Sequence, residues 1–184
     1  QHEELGYNYR MSNIIAGIVR GQIPFLEEHI AQKKAIYFRY KEGLKDLPVT
    51  MNPYDENNSN PNFWLSCLLI NKEAMAPMVR GDKDYLYKSE KGKSSPHEIL
   101  DILSSFNAEG RPIWKPMHLQ PIYRNHAFIT KEGNGRGRSN AYISSNSLDV
   151  GADIFQKGLC LPSDNKMTEE QQNKIIEIIK NCFN

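Results

Sequence analysis

Three stretches of the chain combine residue types that could do chemistry. Gly6-Tyr-Asn-Tyr-Arg10-Met-Ser-Asn13 sets Asn8 and Arg10 two positions apart, just ahead of a helical pattern. An amide and a guanidinium so placed suit an anion, phosphate above all, because both donate hydrogen bonds and one is permanently charged. The same residues also read as an ordinary capped helix entry with surface aromatics. Arg111-Pro-Ile-Trp114-Lys115-Pro116-Met-His118-Leu-Gln-Pro121 carries an indole, an ammonium and an imidazole on a backbone stiffened by three prolines. Trp114, Lys115 and His118 could meet a base, a pyrophosphate or a cofactor. The alternative is a packed crossover whose Trp114 fills the core. Gly133-Asn-Gly-Arg136-Gly-Arg138 resembles a phosphate cradle. It lacks the spacing of a Rossmann or P-loop fingerprint and reads more simply as a loop.

Other chemistries find no support. Cys67, Cys160 and Cys182 are far apart in sequence and odd in number, which is neither a disulfide framework nor a zinc pattern and fits a reducing cytoplasm. No histidine near them in sequence suggests a nucleophilic pair. His2, His29, His97 and His126 show no metal-ligand spacing. With 23 basic and 22 acidic residues the net charge is +1, against a general nucleic-acid binder. No apolar run approaches the roughly 18 residues of a membrane span. No signal peptide is visible, and a start at Gln1 suggests a piece cut from something longer.

The elements that must position these residues follow from local pattern. The first thirteen residues read as an extended lead-in, with Ser12 or Asn13 as helix N-cap. Ile14, Ile15, Ile18 and Val19, then Leu26, Ile30, Ile36, Tyr37, Tyr40 and Leu44, recur at helical spacing. Pro24 divides this run into a short helix and a longer one. Residues 49–51 read as a short strand and 52–62 as an Asn/Pro loop. Residues 63–70, FWLSCLLI, predict a central strand covered on both faces. Residues 81–95 are polar and lysine-bearing and predict an exposed loop. Ser95-Pro96 starts a helix whose apolar face is Ile99, Leu100, Leu103 and Phe106. The segment after Gly110 is too proline-rich for regular structure throughout, and 131–139 is a Gly/Arg loop. A short helix falls near 150–157, and Thr168-Glu-Glu-Gln171 opens a last helix as a capping box. Interleaved strands and helices predict an α/β or α+β domain, a small sheet covered by helices on one side.

GYNYRMSN before a helix, then RPIWKPMHLQP, then GLCLPSDNKMTEEQ, in that order, resemble the DegT/DnrJ/EryC1/StrS sugar aminotransferases over nearly the whole chain. The RPIWKPMHLQP form is most similar to the branch acting on UDP-linked 4-keto-6-deoxy-N-acetylhexosamines, as in bacillosamine-type pathways. The resemblance implies the small C-terminal domain of an aspartate-aminotransferase-like fold, with a mostly antiparallel sheet over residues 14–184 behind the 1–13 lead-in. It implies a cytoplasmic homodimer using pyridoxal phosphate (PLP), a nucleotide-sugar substrate and glutamate as amino donor. Asn8 matches the family's Asn that reaches the PLP phosphate of the other subunit. Arg10 matches the Arg near the substrate's phosphates or sugar. Trp114 and Lys115 stand where many members carry His-Tyr, and His118 matches a later His; that region lines the sugar-nucleotide pocket.

PLP catalysis needs a lysine to hold the cofactor covalently, a carboxylate for its pyridinium and a cup for its phosphate. In the resembled family those lie upstream of GYNYR. The expectation is therefore a fragment without the large PLP-lysine domain, with no catalytic residue of its own and no activity alone. Two alternatives are a non-catalytic sugar-nucleotide-binding or regulatory module, and a dehydratase variant of the family with histidine in place of lysine.

Overall fold

Ser12 begins the first helix as its side chain dictates: its Oγ accepts the Ile15 N–H at 3.3 Å at the start of α1 (Asn13–Gln22). The computed structural model describes residues 3–81, 84–123, 125–126 and 149–184. The expected Gly/Arg loop at 131–139 lies outside the described residues. Pro24 interrupts the ladder, and a 3-10 turn (Ile23–Phe25) joins α1 to α2 (Leu26–Gly43). No residue of α1 is buried. Its Ile14, Ile15 and Ile18 form an apolar stripe left bare. Burial begins in the second half of α2, where Ile36, Tyr37 and Tyr40 face the core. Both tyrosines keep a partner for their hydroxyls, as buried phenols require. Tyr37 donates to the Asn52 carbonyl at 2.7 Å and Tyr40 to the Pro162 carbonyl at 2.8 Å.

The main sheet is antiparallel, in the order β1 (Val49–Met51), β2 (Cys67–Ile70), β6 (Gly158–Cys160), β5 (Arg111–Pro112). Leu68 and its register partner Leu159 both point into the core with Ile70. The central strand is shorter than the expected 63–70. Asn62 Oδ1 accepts the Trp64 N–H at 3.0 Å, and Phe63 adopts φ +52°, so the chain turns before the ladder begins. That turn sends Phe63 into an aromatic cluster with Tyr37, Phe38 and Tyr54 and leaves Trp64 outside. The proline-rich stretch, expected not to be regular throughout, contributes only β5, two residues pairing with β6.

The expectation of a loop over 81–95 is corrected at its start. β3 (Met78–Arg80) and β4 (Tyr85–Tyr87) pair as a separate antiparallel hairpin. Both β4 tyrosines donate to the Asp101 carboxylate at 2.9 Å, which fastens the hairpin to α3 (Pro96–Ser105). Ser95 caps α3 through the Glu98 N–H, and Thr168 and Gln171 form the reciprocal capping box of α5 (Glu169–Asn181). α2, α3 and α5 supply Tyr40, Ile99, Leu103, Ile175 and Ile179 to the core over Leu68, Ile70 and Leu159. α4 (Val150–Lys157) runs straight into β6 and packs against β2 and β6. Gly158 at that junction has no room for a side chain: a Cβ would lie 2.7 Å from the Ile154 carbonyl oxygen. The result is the expected α/β arrangement, a small antiparallel sheet packed with helices.

Candidate functional site

β5 and the stiff segment after it deliver Trp114 and Lys115 to one wall of a cleft of about 1340 Å³. Trp64, released by the turn before β2, lies beside Trp114 with ring centroids 6.1 Å apart and planes at 37°. Both indoles are more than half exposed, at 64% and 63%. Two large aromatics left side by side in water are costly to a surface unless something covers them. The bland reading of Trp114 as a core filler is therefore not what the fold adopts.

Arg80 and Tyr85 of the hairpin and His97 of α3 also line the cleft. The Arg80 guanidinium sits 3.6 Å over the Phe155 ring and donates to the Phe155 carbonyl at 2.9 Å, so α4 holds it in place. The His97 ring stacks on Tyr85 with centroids 3.6 Å apart. Burial drives its pKa down to about 4, the positive charge of Arg80 adds to this, and Asp101 opposes it. His97 is thus a neutral imidazole at neutral pH. Its Nε2 is buried and meets no hydrogen-bond partner among the described residues.

His118 occupies a 3-10 turn (Met117–Leu119), and its Nε2 lies 2.7 Å from Asp149 Oδ2. It does not line the cleft as Trp114 and Lys115 do. Asn8 and Arg10 are exposed and also lie apart from the cleft. Asn8 Oδ1 accepts the Arg10 N–H at 2.9 Å, with Tyr9 at φ +51° between them. This local turn engages the Asn8 side-chain oxygen and leaves both residues exposed. Of the five residues singled out in the sequence, the fold brings only Trp114 and Lys115 together at one cavity.

Sequence reasoning missed Trp64, Arg80, His97 and Asp149. Asp149 carried a signal, a cap-type residue directly before a helical pattern. Trp64 was hidden inside an apolar run, and Arg80 and His97 converge only through the hairpin.

A lysine that holds the cofactor needs a desolvated, enclosed setting, and among the described residues no lysine is buried. Asn8 offers an amide suited to the cofactor's phosphate edge and nothing more. No His/Cys/Asp/Glu cluster among the described residues could hold a metal. No described helix is long and apolar enough to cross a membrane.

The pattern of the DegT/DnrJ/EryC1/StrS aminotransferase family matches residues 1–180. Over 183 residues the chain is 31% identical to EpsN of Bacillus subtilis (strain 168), whose name describes a pyridoxal phosphate-dependent aminotransferase; the alignment takes in 100% of this chain and 39% of EpsN. A GDP-perosamine synthase of Vibrio cholerae is 26% identical over 183 residues, covering 100% of this chain and 40% of its own length. A crystal structure of a DegT DnrJ EryC1 StrS aminotransferase from Brucella abortus shares the fold with a TM-score of 0.67 at 20% identity, over 100% of this chain and 39% of that one. The chain spans well under half the length of these relatives. It belongs to the DegT/DnrJ/EryC1/StrS aminotransferase family, whose enzymes work with pyridoxal phosphate.

Proposed function

We propose that residues 14–184 are the small C-terminal domain, and 1–13 the lead-in, of a PLP-dependent aminotransferase that aminates a UDP-linked 4-keto-6-deoxy sugar. Glutamate is the amino donor, and the product serves a surface polysaccharide or glycan. The observation that carries this reading is the exposed Trp64–Trp114 pair beside Lys115 in a chain of this family. Indole faces suit a base or sugar ring, and an ammonium suits a pyrophosphate. PLP supplies the amino-group chemistry, and its covalent lysine lies in a large domain outside these 184 residues. Asn8 and Arg10 act in the site of the other subunit of a cytoplasmic homodimer. His118, held by Asp149, fixes the loop that carries Trp114 and Lys115. The 184-residue chain by itself has no activity.

Steady-state kinetics of the whole enzyme test this. Trp114→Ala and Lys115→Ala raise KM for the nucleotide sugar, with UDP inhibiting the wild type better than GDP. Stronger inhibition by GDP would move the proposal to GDP-linked sugars, the class named for the Vibrio cholerae relative. Unchanged KM in both variants would remove the cleft from the substrate path. For the isolated chain, borohydride treatment with PLP followed by peptide mapping yields no site-specific lysine adduct; a stoichiometric adduct on one lysine would overturn the two-domain reading.

A further inference from the structure

Cys67 and Cys160 are 93 positions apart in sequence, yet their sulfurs lie 3.7 Å apart, with Cys67 directly opposite Cys160 in the β2–β6 ladder. The ladder shows which kind of pair this is. The Leu161 N–H donates to the Ser66 carbonyl at 2.9 Å, so Ser66 and Leu161 occupy a hydrogen-bonded position. Cys67 and Cys160, next in register, occupy the non-hydrogen-bonded one. Cys67 turns its own N–H and carbonyl the other way, both to Asn52, at 2.9 and 3.0 Å. Non-hydrogen-bonded partners in antiparallel sheets have Cα atoms about 4.5 Å apart. That is within the roughly 4.4–6.8 Å that a disulfide spans.

We infer that Cys67 and Cys160 form an oxidisable dithiol, a modification site at which hydrogen peroxide closes a reversible disulfide between β2 and β6. Both thiols are free and in contact, so closure needs side-chain rotation and little backbone movement. Cys160 lines the cleft, which gives a small oxidant a route to it. Either sulfur can donate to the other in this contact; with Cys67 as donor, the bond lowers the proton affinity of Cys160 and raises that of Cys67. Cys160, the one of the two that lines the cleft, is the sulfur that attacks. Its thiolate takes the distal oxygen of the peroxide; the O–O bond breaks and a sulfenic acid and water form. The Cys67 sulfur then attacks that sulfenic sulfur, the S–O bond breaks, and a second water leaves with the Cys67 proton. Two thiols lose two electrons and one peroxide gains them. Cys182 makes the contrast: its S–H is bonded to the Ile178 carbonyl, and burial pushes its pKa up to about 11. This inference stands on the sheet register and is independent of the proposed substrate.

The test is stoichiometric hydrogen peroxide on the purified protein, then alkylation, non-reducing digestion and mass spectrometry. The expected product is one linked peptide pair joining Cys67 to Cys160, with Cys182 alkylated and the link reversed by dithiothreitol. Cys182→Ser gives the same link. Cys67→Ser gives none and leaves Cys160 as a sulfenic acid trapped by dimedone. The inference is overturned if Cys67 and Cys160 stay alkylatable at peroxide levels that oxidise Cys182. A link that forms only after unfolding in urea overturns it equally.

Discussion

His118 and Asp149 hold each other at 2.7 Å, and the same carboxylate caps α4: Asp149 Oδ2 meets the imidazole while Oδ1 accepts the Ala152 N–H at 3.0 Å. Both side chains are only slightly exposed, at 13% and 12%. One residue thus ties the loop after Trp114 to the helix that supports Arg80 and feeds β6.

Asp149→Ala removes both bonds and lowers unfolding free energy by about 1–3 kcal/mol, the sum of a lost cap and a hydrogen-bonded partner. Asp149→Asn keeps a capping oxygen and costs less. Urea denaturation of the two variants measures this; equal losses below about 0.5 kcal/mol would detach His118 from any structural role.

The pH dependence of stability reports His97. Its folded pKa is about 4, below the ordinary 6.5, so the unfolded chain takes up the proton first on acidification. The stability contribution of the neutral ring is complete above 6.5 and is lost as pH falls from there toward 4. His97→Phe keeps a ring on Tyr85 and removes the titration. The wild-type Tm should fall more than the variant's on going from about pH 7 to about pH 5. Parallel curves would contradict the assignment.

Gly158→Ala destabilises strongly. The new Cβ would lie 2.7 Å from the Ile154 backbone oxygen and 2.9 Å from a Leu69 methyl, and backbone cannot step aside. A loss of about 2 kcal/mol or more is expected from such overpacking. Gly17→Ala on α1 is the control: nothing lies within 4 Å of its added Cβ, and a helix-interior alanine stabilises by about 0.5–1 kcal/mol. Thermal melts of the two variants should move in opposite directions.

Asn8 and Arg10 are tested in the whole enzyme. Asn8→Ala should weaken PLP retention by about 1.5–3 kcal/mol, the worth of a hydrogen bond to a charged group. Arg10→Ala should mainly raise KM for the nucleotide sugar. A subunit lacking the catalytic lysine, mixed with one carrying both substitutions, should regain one intact site per mixed dimer. Mixed dimers without activity would return the two residues to a helix lead-in.

Much of the local structure was legible because it is decided within a few residues. Ser12, Ser95 and Thr168 each find their acceptor or donor three positions on, so the starts of α1, α3 and α5 follow from residue type. Pro24 breaks the first helical run for the same local reason, and the order of the three family motifs is a property of the sequence itself. What lay beyond reach depends on partners tens of residues away. Whether the indole of Trp64 faces core or water turned on a left-handed Phe63. Cys67 meets Cys160, and β5 finds β6, only through strand register, which no local pattern encodes. His118 finds Asp149 across 31 positions. Caps and turns close short loops and are specified by adjacent residues. The cleft, the dithiol and the His118–Asp149 pair close long ones, and only the packing of the finished sheet and helices selects their members.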